Sequence, residues 1–193
     1  MIYNHNIDVG VALRRSVAHL YSDLVTRPTG AAVRNEIEQQ LALVAGRAFT
    51  VIDFSQVGLL DFSCADEVIA KLLLRYCADC PPHDGYFLFR GVREDHYDAI
   101  EAVLERHALA LAVQTDDGVV RLVGAVDDTA RAAWELLERE GGRRTPAQIA
   151  EALGASAADA ERAVELLCRR RLAIVVDGGV IAVGRGLLPE RPQ

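Results

Sequence analysis

Apolar residues recur every three or four positions in four segments of the first part of the chain, and this period predicts amphipathic helices. The predicted helices span residues 9–24, 31–44, 61–80 and 93–107. In the first of them the apolar face consists of Val9, Leu13, Val17, Leu20 and Leu24. Pro28 and Gly30 separate the first helix from the second, which Thr29 or a neighbouring residue is expected to cap.

Short runs of β-branched and aromatic residues alternate with these helices. They predict strands over residues 49–54, 86–89, 109–113 and 119–123. The sequence Asp116-Asp117-Gly118 between the last two runs is a hairpin signal. Strands that alternate with helices indicate a mixed α/β (α+β) fold, with a sheet covered by helices.

The last third of the chain has a different pattern. Helices are predicted over residues 129–140, 147–153 and 156–171, and strands over 172–176 and 180–183. Gly141 ends the first of these helices, Thr145 caps the second with Pro146 at its first position, and Ser156 caps the third. Asp177-Gly178-Gly179 joins the two strands into a hairpin. Three helices followed by a hairpin predict a winged helix-turn-helix.

The distribution of charge supports a division of the chain near residue 127. The net charge is -7 overall, of which residues 1–126 carry -6 and residues 127–193 carry -1. We therefore predict an α/β domain over 1–126, which includes the helix 9–24, and a winged-helix domain over 127–193. No linker rich in proline or serine separates them, so the two parts are expected to pack closely. The apolar face of helix 9–24 either joins the first domain or docks a second chain, which makes a homodimer a candidate assembly.

Composition narrows the class of protein. Half of the residues (51%) are hydrophobic and a quarter (25%) are charged, which excludes a disordered chain. No apolar run is long enough to span a bilayer, and the N-terminus lacks a signal-peptide pattern, so a cytoplasmic protein without a membrane partner is expected. Cys77, Cys80 and His83 have the only metal-like spacing, and no second ligand pair accompanies them. We therefore expect no metal and no cofactor, and the five scattered histidines indicate surface or core positions.

The segment 51–68 resembles the STAS family, the fold of anti-sigma-factor antagonists, in which a strand, an Asp-Ser-Ser-Gly loop and a helix follow one another. Asp61 matches the aspartate of that family and Ser63 matches its phosphoacceptor serine. Phe62 stands in place of the first serine and Cys64 in place of the glycine. These departures weaken a classical partner-switching role.

A STAS-like branch of unassigned function is more similar over about residues 25–113. Its members have a Ser-Arg…Gly segment, then Asp-Phe…Val, then Ser-Phe-Ala-Asp-Glu-Leu. The corresponding residues in this chain are Thr26, Arg27, Gly30, Asp53, Phe54, Val57, Ser63, Cys64, Ala65, Asp66, Glu67 and Val68. The resemblance implies a protein partner, such as a histidine-kinase-like ATPase or a sensor protein. The resemblance of about residues 129–185 to winged-helix regulators implies a fold and not an activity.

The residues Asp61, Ser63, Asp66, Glu67 and Arg27 are the candidate partner and phosphorylation site. Ser63 has two compatible interpretations: it caps the helix with Asp66 as a capping-box partner, or it is phosphorylated beside free backbone N–H groups. Arg27 binds a phosphate or carboxylate, or it pairs with Asp23 or Glu36, and we favour the ion pair.

Catalysis by the three carboxylates Asp61, Asp66 and Glu67 is a weaker hypothesis. Acid–base catalysis needs a carboxylate pair with a nucleophile or metal, and no zinc-protease motif, nucleophile elbow or phosphate-binding loop accompanies them. Asp53 is interpreted as a capping acid. The sequence thus assigns no catalytic residue, and we predict that the protein is not an enzyme.

The winged helix is the candidate DNA interface. The outer residues at the start of helix 156–171 are mostly alanine or acidic, and Asp177 at the wing tip is acidic, which opposes binding to phosphate. The candidate DNA contacts are Arg143, Arg144, Arg162 and Arg185, while Arg169 to Arg171 suit the end of a helix. A winged helix that packs against the STAS-like part, or that makes a dimer or partner contact, is slightly favoured over one that binds DNA.

The sequence therefore predicts a non-enzymatic signalling protein, with a STAS-like partner-binding part coupled to a winged helix. The leading alternative is a DNA-binding transcription factor that uses the STAS-like part as its sensor domain. A small-molecule sensor is not separable from the first hypothesis by sequence.

Overall fold

Four parallel strands and one antiparallel strand form the central sheet. The computed structural model describes residues 2–17, 22–44 and 46–188. The strands lie in the order β1-β2-β3-β4-β5, where β1 to β4 are parallel and β5 is antiparallel to β4. Their bounds are β1 Tyr3–Asp8, β2 Arg47–Asp53, β3 Asp84–Arg90, β4 Ala110–Gln114 and β5 Val120–Gly124. The predicted mixed α/β class is confirmed.

The helices of the first part cover one face of this sheet. They are α1 Val9–Ser16, α2 Arg27–Ala42, α3 Phe62–Ala65, α4 Lys71–Cys77 and α5 Tyr97–Arg106. A π-helical turn, Asp66–Ala70, joins α3 to α4, and a 3₁₀ turn, Glu94–His96, leads into α5. Successive parallel strands are neighbours, and the general right-handed rule for such crossovers places each connecting helix on the same side. Ile7, Ile52 and Phe89 of the sheet belong to the hydrophobic cluster on that side.

The second part of the chain packs on the opposite face. Its elements are α6 Asp128–Glu140, α7 Pro146–Leu153, α8 Ala157–Arg169, β6 Ala173–Val176 and β7 Gly179–Ala182. Phe49 and Leu88 of the sheet share a second hydrophobic cluster with Trp134 and Ile174. Since β2 is covered on both faces, all of its residues except Arg47 are buried, as expected for a central parallel strand. The two parts are thus closely packed, and the domain boundary near residue 127 stays a prediction.

Capping residues begin and end the helices of the second part as predicted. Thr145 and Gln148 form a reciprocal capping box at α7, with Pro146 at its first position. Ser156 caps α8, and Gly154 ends α7 with a left-handed φ of 63°. Residue Arg144 adds a short antiparallel bridge to Val180 of the hairpin. The three predicted helices and the hairpin are confirmed as elements.

The N-terminal segment differs from the prediction. Residues 3–8 form β1, which the sequence did not reveal because Asn4, His5 and Asn6 are polar and the strand lies at the sheet edge. The predicted helix 9–24 ends at Ser16. Leu24, its predicted last residue, instead forms a parallel bridge with Leu60. Predicted positions Leu20 and His19 lie outside the described residues.

Three other predicted helix ends are displaced. The second helix begins at Arg27 after the N-cap Thr26, so Thr29 does not cap it. The predicted helix 61–80 ends at Cys77 because Ala78 is extended. The predicted helix 156–171 ends at Arg169, and Arg171 adopts a left-handed φ of 60°.

Arg171 joins the second part to the sheet, although it was predicted to complement the end of a helix. Its side chain donates to the Tyr76 carbonyl at 2.9 Å and to the Asp84 carboxylate at 2.6 Å, and it lies over the Tyr86 ring. Arg47 binds the other oxygen of Asp84 at 2.6 Å and donates to the Val175 carbonyl at 2.9 Å. Two arginines therefore clamp one aspartate where β6 meets the start of β3.

The described helices are short. The longest, α2, has 16 residues. Among the residues that the structure describes, no helix is long and apolar enough to cross a membrane.

Candidate functional site

Two segments that are distant in sequence meet where α2 and α3 begin. Asp61 is the N-cap of α3, and its Oδ1 accepts the backbone N–H of Cys64 at 2.7 Å. Its Oδ2 accepts the backbone N–H of Thr26 at 3.1 Å, while the Cys64 thiol donates to the Thr26 carbonyl at 2.9 Å. These bonds hold Thr26 at a φ of 96°, which is uncommon for a residue with a side chain. The Asp61 segment therefore fixes the start of α2.

Ser63 is not the helix cap. It is the second residue of α3 and is partly buried, and its hydroxyl donates to Asp61 Oδ1 at 2.9 Å. Asp66 does not complete a capping box with it, because its carboxylate binds other partners. The predicted cap is thus wrong by two residues: the acid at position 61 accepts the bonds that were assigned to the serine. Phosphorylation of Ser63 stays a prediction.

Arg27 links the two acids of the predicted site. Its Nη1 lies 2.9 Å from Asp66 Oδ2 and 2.8 Å from Glu67 Oε1. The predicted pairing of Arg27 with Asp23 or Glu36 is wrong. Both acids are buried, with the Glu67 side chain 3% exposed, whereas the arginine side chain is 48% exposed. Arg27 therefore joins Asp66 and Glu67, while Asp61 holds Ser63 and the neighbouring Thr26, so the five predicted site residues lie close together.

Three further residues complete this ion-pair cluster. Lys71, the only lysine of the chain, binds Glu67 Oε1, and Arg34 Nη2 lies 3.5 Å from Glu67 Oε2. His107 Nε2 lies 2.8 Å from Asp66 Oδ1. Sequence reasoning missed all three. Only the spacing of Glu67 and Lys71, four residues apart on a predicted helix, could have indicated a pair.

The close approach of α2 to α3 depends on Gly30. A Cβ atom at Gly30 would lie 2.9 Å from the Cys64 Cα and 3.0 Å from the Glu67 Cβ, closer than side chains normally pack. The π-helical turn Asp66–Ala70 lies at the same contact, and such turns often occur at functional sites. The glycine thereby lets Arg27 reach acids on the neighbouring helical segment.

The cluster keeps its carboxylates ionised. Burial alone would raise the pKa of Glu67, but hydrogen bonds from Lys71 and Arg27 outweigh it and lower the pKa below its ordinary value of 4.5. Burial likewise opposes ionisation of Asp66, and bonds from His107 and Arg27 lower its pKa below 3.8. Such carboxylates bind cations well and are poor general acids near neutral pH.

Removing the Glu67 charge is expected to destabilise the fold at neutral pH but not in acid. A carboxyl with a lowered folded pKa contributes stability above its unfolded pKa and loses it as the pH falls through the folded pKa. We expect Glu67→Gln to cost about 2 kcal/mol near pH 7, with the difference from wild type shrinking below pH 4.5. Urea unfolding across this pH range measures the effect.

The control for this prediction is Glu101→Gln, which changes an exposed glutamate on α5. It should unfold like the wild type at each pH. A constant deficit of Glu67→Gln down to acid pH would contradict an ion-pair contribution.

Apolar side chains are exposed beside the cluster. Phe62 is 38% exposed at the start of α3, and Leu59 is 55% exposed in the preceding loop. The guanidinium of Arg106 lies over the Phe62 ring, 5.8 Å from its centroid. Arg27, Leu59, Phe62 and Ser63 define what we call the α3 surface. Aromatic and arginine side chains are enriched at protein interfaces.

The four predicted DNA contacts are all engaged within the protein. Arg144 pairs with Glu140 and Arg162 with Asp159. Arg143 donates to the Asp177 carbonyl at 2.7 Å, and Arg185 lies near Glu138. The structure does not join them into one surface around α8, because Arg143, Arg144 and Arg185 lie beside α6 and the hairpin.

A second polar cluster lies at the carboxyl ends of β2 and β3. Asp53 accepts the backbone N–H of Ser55 at 2.9 Å and pairs with Arg90 at 2.7 Å. Burial opposes ionisation of Asp53, yet the bonds from Ser55 and Arg90 lower its pKa. These residues line an open polar cavity of about 230 Å³ with Gln114. The prediction that Asp53 caps a turn is consistent with its bond to Ser55.

Metal-ligating residues do not converge in the described parts of the chain, where no group of three or more could hold a metal ion. His96 is a buried core histidine whose Nε2 lies 2.7 Å from the Gly58 carbonyl. His107, by contrast, belongs to the ion-pair cluster and is not an isolated surface residue.

The comparisons with known proteins return no relative of this chain. No protein-family model, no curated protein and no solved structure matches it. A proposal on function therefore rests on the geometry of the α3 surface and of the ion-pair cluster.

Proposed function

We propose that the chain is a non-enzymatic signalling protein of the cytoplasm, in which a STAS-like first part binds a protein partner and a winged-helix second part relays the signal. The observation that carries this proposal is Arg27, a partly exposed cation fixed by two buried carboxylates, in a segment that Asp61 ties to the start of α3, where Phe62 is exposed. A fixed guanidinium next to an exposed aromatic ring is a typical anchor of a protein interface.

The fixed position of Arg27 favours recognition over catalysis. Only its Nη1 takes part in the hydrogen bonds to Asp66 and Glu67 described above, which leaves Nη2 and Nε for a carboxylate or carbonyl of a partner. Because the acids already orient the side chain, less rotamer entropy is lost on binding. The partner would be a kinase-like ATPase or a sensor protein, as the STAS resemblance implies.

Ser63 supplies a means of control in this proposal. A phosphate on its hydroxyl would break the bond to Asp61 and place two more negative charges beside that carboxylate. Asp61 also holds the backbone of Thr26, so repulsion there would loosen the start of α2 and move Arg27. Phosphorylation would thereby lower the affinity for the partner.

The second part is proposed to act through protein contact. The exposed outer residues of α8 are two alanines, two glutamates and one arginine that pairs with Asp159, a set that suits a basic protein surface better than DNA phosphates: Ala157, Ala158, Glu161, Glu165 and Arg162. The four arginines predicted to contact DNA are engaged with acids or carbonyls of the same chain.

We expect the full chain not to bind mixed-sequence duplex DNA tighter than about 1 μM at about 50 mM salt. Fluorescence anisotropy with a labelled duplex measures this, with a salt titration of any signal. Submicromolar binding that weakens steeply with salt would instead support the transcription-factor alternative.

Photo-crosslinking tests the partner-binding proposal. We would place benzoylphenylalanine at position 62, where it replaces an exposed aromatic residue, in the cells that naturally produce the protein. A discrete adduct of higher mass is expected, because Phe62 lies in the α3 surface. Mass spectrometry of that adduct identifies the partner.

The matched control places the same photoreactive residue at Leu43, which is 86% exposed at the end of α2. Position 43 should give no discrete adduct. Equal crosslinking at both positions, or none at position 62, would overturn the proposal.

A further inference from the structure

The two edge strands of the central sheet differ in how well they are shielded from pairing with a strand of another chain. At the β5 edge, Arg131 of α6 donates to the carbonyls of Leu122 at 2.8 Å and Gly124 at 3.0 Å. The exposed Arg121 adds a charge to the same strand. Covered carbonyls and edge charges are devices that prevent strands from pairing with other chains.

The β1 edge lacks such protection in the described part of the molecule. The backbone of residues 3–7 pairs with β2, and no other hydrogen bond from a described residue reaches it. Residues 3–7 of this strand contain no carboxylate, lysine, arginine or proline, and the carboxylate of Asp8 at its end caps α1. Tyr3 is 52% exposed, and Asn4 and Asn6 are exposed. Backbone groups on the outer side of this strand are therefore available to a further strand.

We propose that a second copy of the chain pairs with β1 in antiparallel orientation, with His5 at the two-fold axis. Within β1, Asn4 and Asn6 lie symmetrically about His5, so antiparallel pairing about that residue sets amide opposite amide. Asn4 then lies opposite Asn6 of the second copy, and Tyr3 lies opposite Ile7 of the second copy. The two sheets join into one of ten strands. This inference does not depend on the proposed partner at the α3 surface.

The side-chain faces are consistent with this register. Tyr3, His5 and Ile7 alternate with Asn4 and Asn6, and Ile7 lies in the cluster beneath the helices. A two-fold axis through His5 keeps the helical layers of both copies on the same side of the joined sheet. An aromatic residue opposite a β-branched one is a favourable cross-strand pair, and two facing asparagine amides can donate to and accept from each other. A register shifted by one residue would place Asn4 opposite Ile7, and the helical layers of the two copies would then lie on opposite faces of the joined sheet.

Charge substitutions at positions 4 and 6 test the register. In Asn4→Lys/Asn6→Lys, each lysine faces a lysine of the second copy, whereas in Asn4→Lys/Asn6→Glu each lysine faces a glutamate. Strand pairing over five residues is a small interface, so we expect a wild-type dimer with a Kd of about 10–100 μM. Sedimentation velocity of the full chain over about 5–500 μM measures it.

We expect the double-lysine variant to weaken dimerisation at least about tenfold and the lysine–glutamate variant to retain it, with a stronger salt dependence than the wild type. Far-UV circular dichroism and thermal unfolding control for folding, which exposed positions 4 and 6 should not disturb. A wild type that stays monomeric throughout the range would overturn the proposal. So would a double-lysine variant that dimerises like the wild type, or a lysine–glutamate variant that is as monomeric as the double-lysine variant.

Discussion

Replacing Trp134 by alanine is expected to lower the free energy of unfolding by about 3–5 kcal/mol, as for other large buried aromatics. Trp134 is 1% exposed and belongs to the cluster shared by the sheet and the second part of the chain. Its indole N–H donates to the Leu172 carbonyl at 3.1 Å, so the variant loses both packing and a buried hydrogen bond. Urea unfolding followed by far-UV circular dichroism measures the loss. Trp134 is the only tryptophan, so its replacement removes the tryptophan fluorescence that would otherwise report unfolding.

Trp134→Phe separates the two contributions. It keeps an aromatic ring but leaves the Leu172 carbonyl without its donor, and should cost less than the alanine variant, about 1–3 kcal/mol. Because both parts of the chain share this cluster, we expect a single transition in the wild type. A loss below about 1 kcal/mol for the alanine variant would mean that the cluster is not continuous in solution.

The second large effect is expected at Gly30. Gly30→Ala should gain about 1 kcal/mol of helix propensity and lose about 1–3 kcal/mol by overpacking, because its Cβ would lie 2.9 Å from the Cys64 backbone. Gly30→Val adds two methyl groups and a less favourable helix former, so we expect a net loss of about 3 kcal/mol or more. Thermal and urea unfolding of both variants measure this order.

Gly30→Val should also affect the α3 surface. Moving α2 away from Glu67 would separate Arg27 from its two carboxylates, and crosslinking from position 62 should then fall. Ala31→Val is the matched control, since it makes the same β-branched change one residue later at a partly exposed site. The proposed role of Gly30 would be wrong if both valine variants had equal stability and crosslinking.

The two stability predictions concern different layers of the molecule. Trp134 lies in the cluster on the face covered by the second part, whereas Gly30 lies among the helices on the other face. Their effects on unfolding should therefore add in the double variant, since the sites share no described contact. Only the Gly30 change should affect the α3 surface.

Capping and periodicity predicted the second part well because those signals are local. Gly141, Thr145, Pro146 and Ser156 each act on a helix end within a few residues, and each has the predicted role. The strand β1 was missed for the opposite reason. Its polar residues have low strand propensity, and pairing with β2 decides its conformation.

The candidate residues could be named from the sequence, but their contacts could not. Arg27 and Asp66 are 39 residues apart, and nothing in their spacing indicates that they meet. The same holds for Arg171 and Asp84, which are 87 residues apart. Local reasoning assigned each arginine to a near neighbour or a helix end, because those are the partners visible along the chain.

The sequence by itself determined the α/β class, most of the helices and strands, and the segments that form the candidate site. These follow from hydrophobic period and from caps, which act over one or two helical turns. The tertiary structure decided which charges pair, that Asp61 and not Ser63 caps α3, and which sheet edge is left unprotected. Those outcomes depend on how helices and strands approach one another, and that approach is set by packing across the whole chain, at Gly30 for the ion-pair cluster and at Trp134 for the second part.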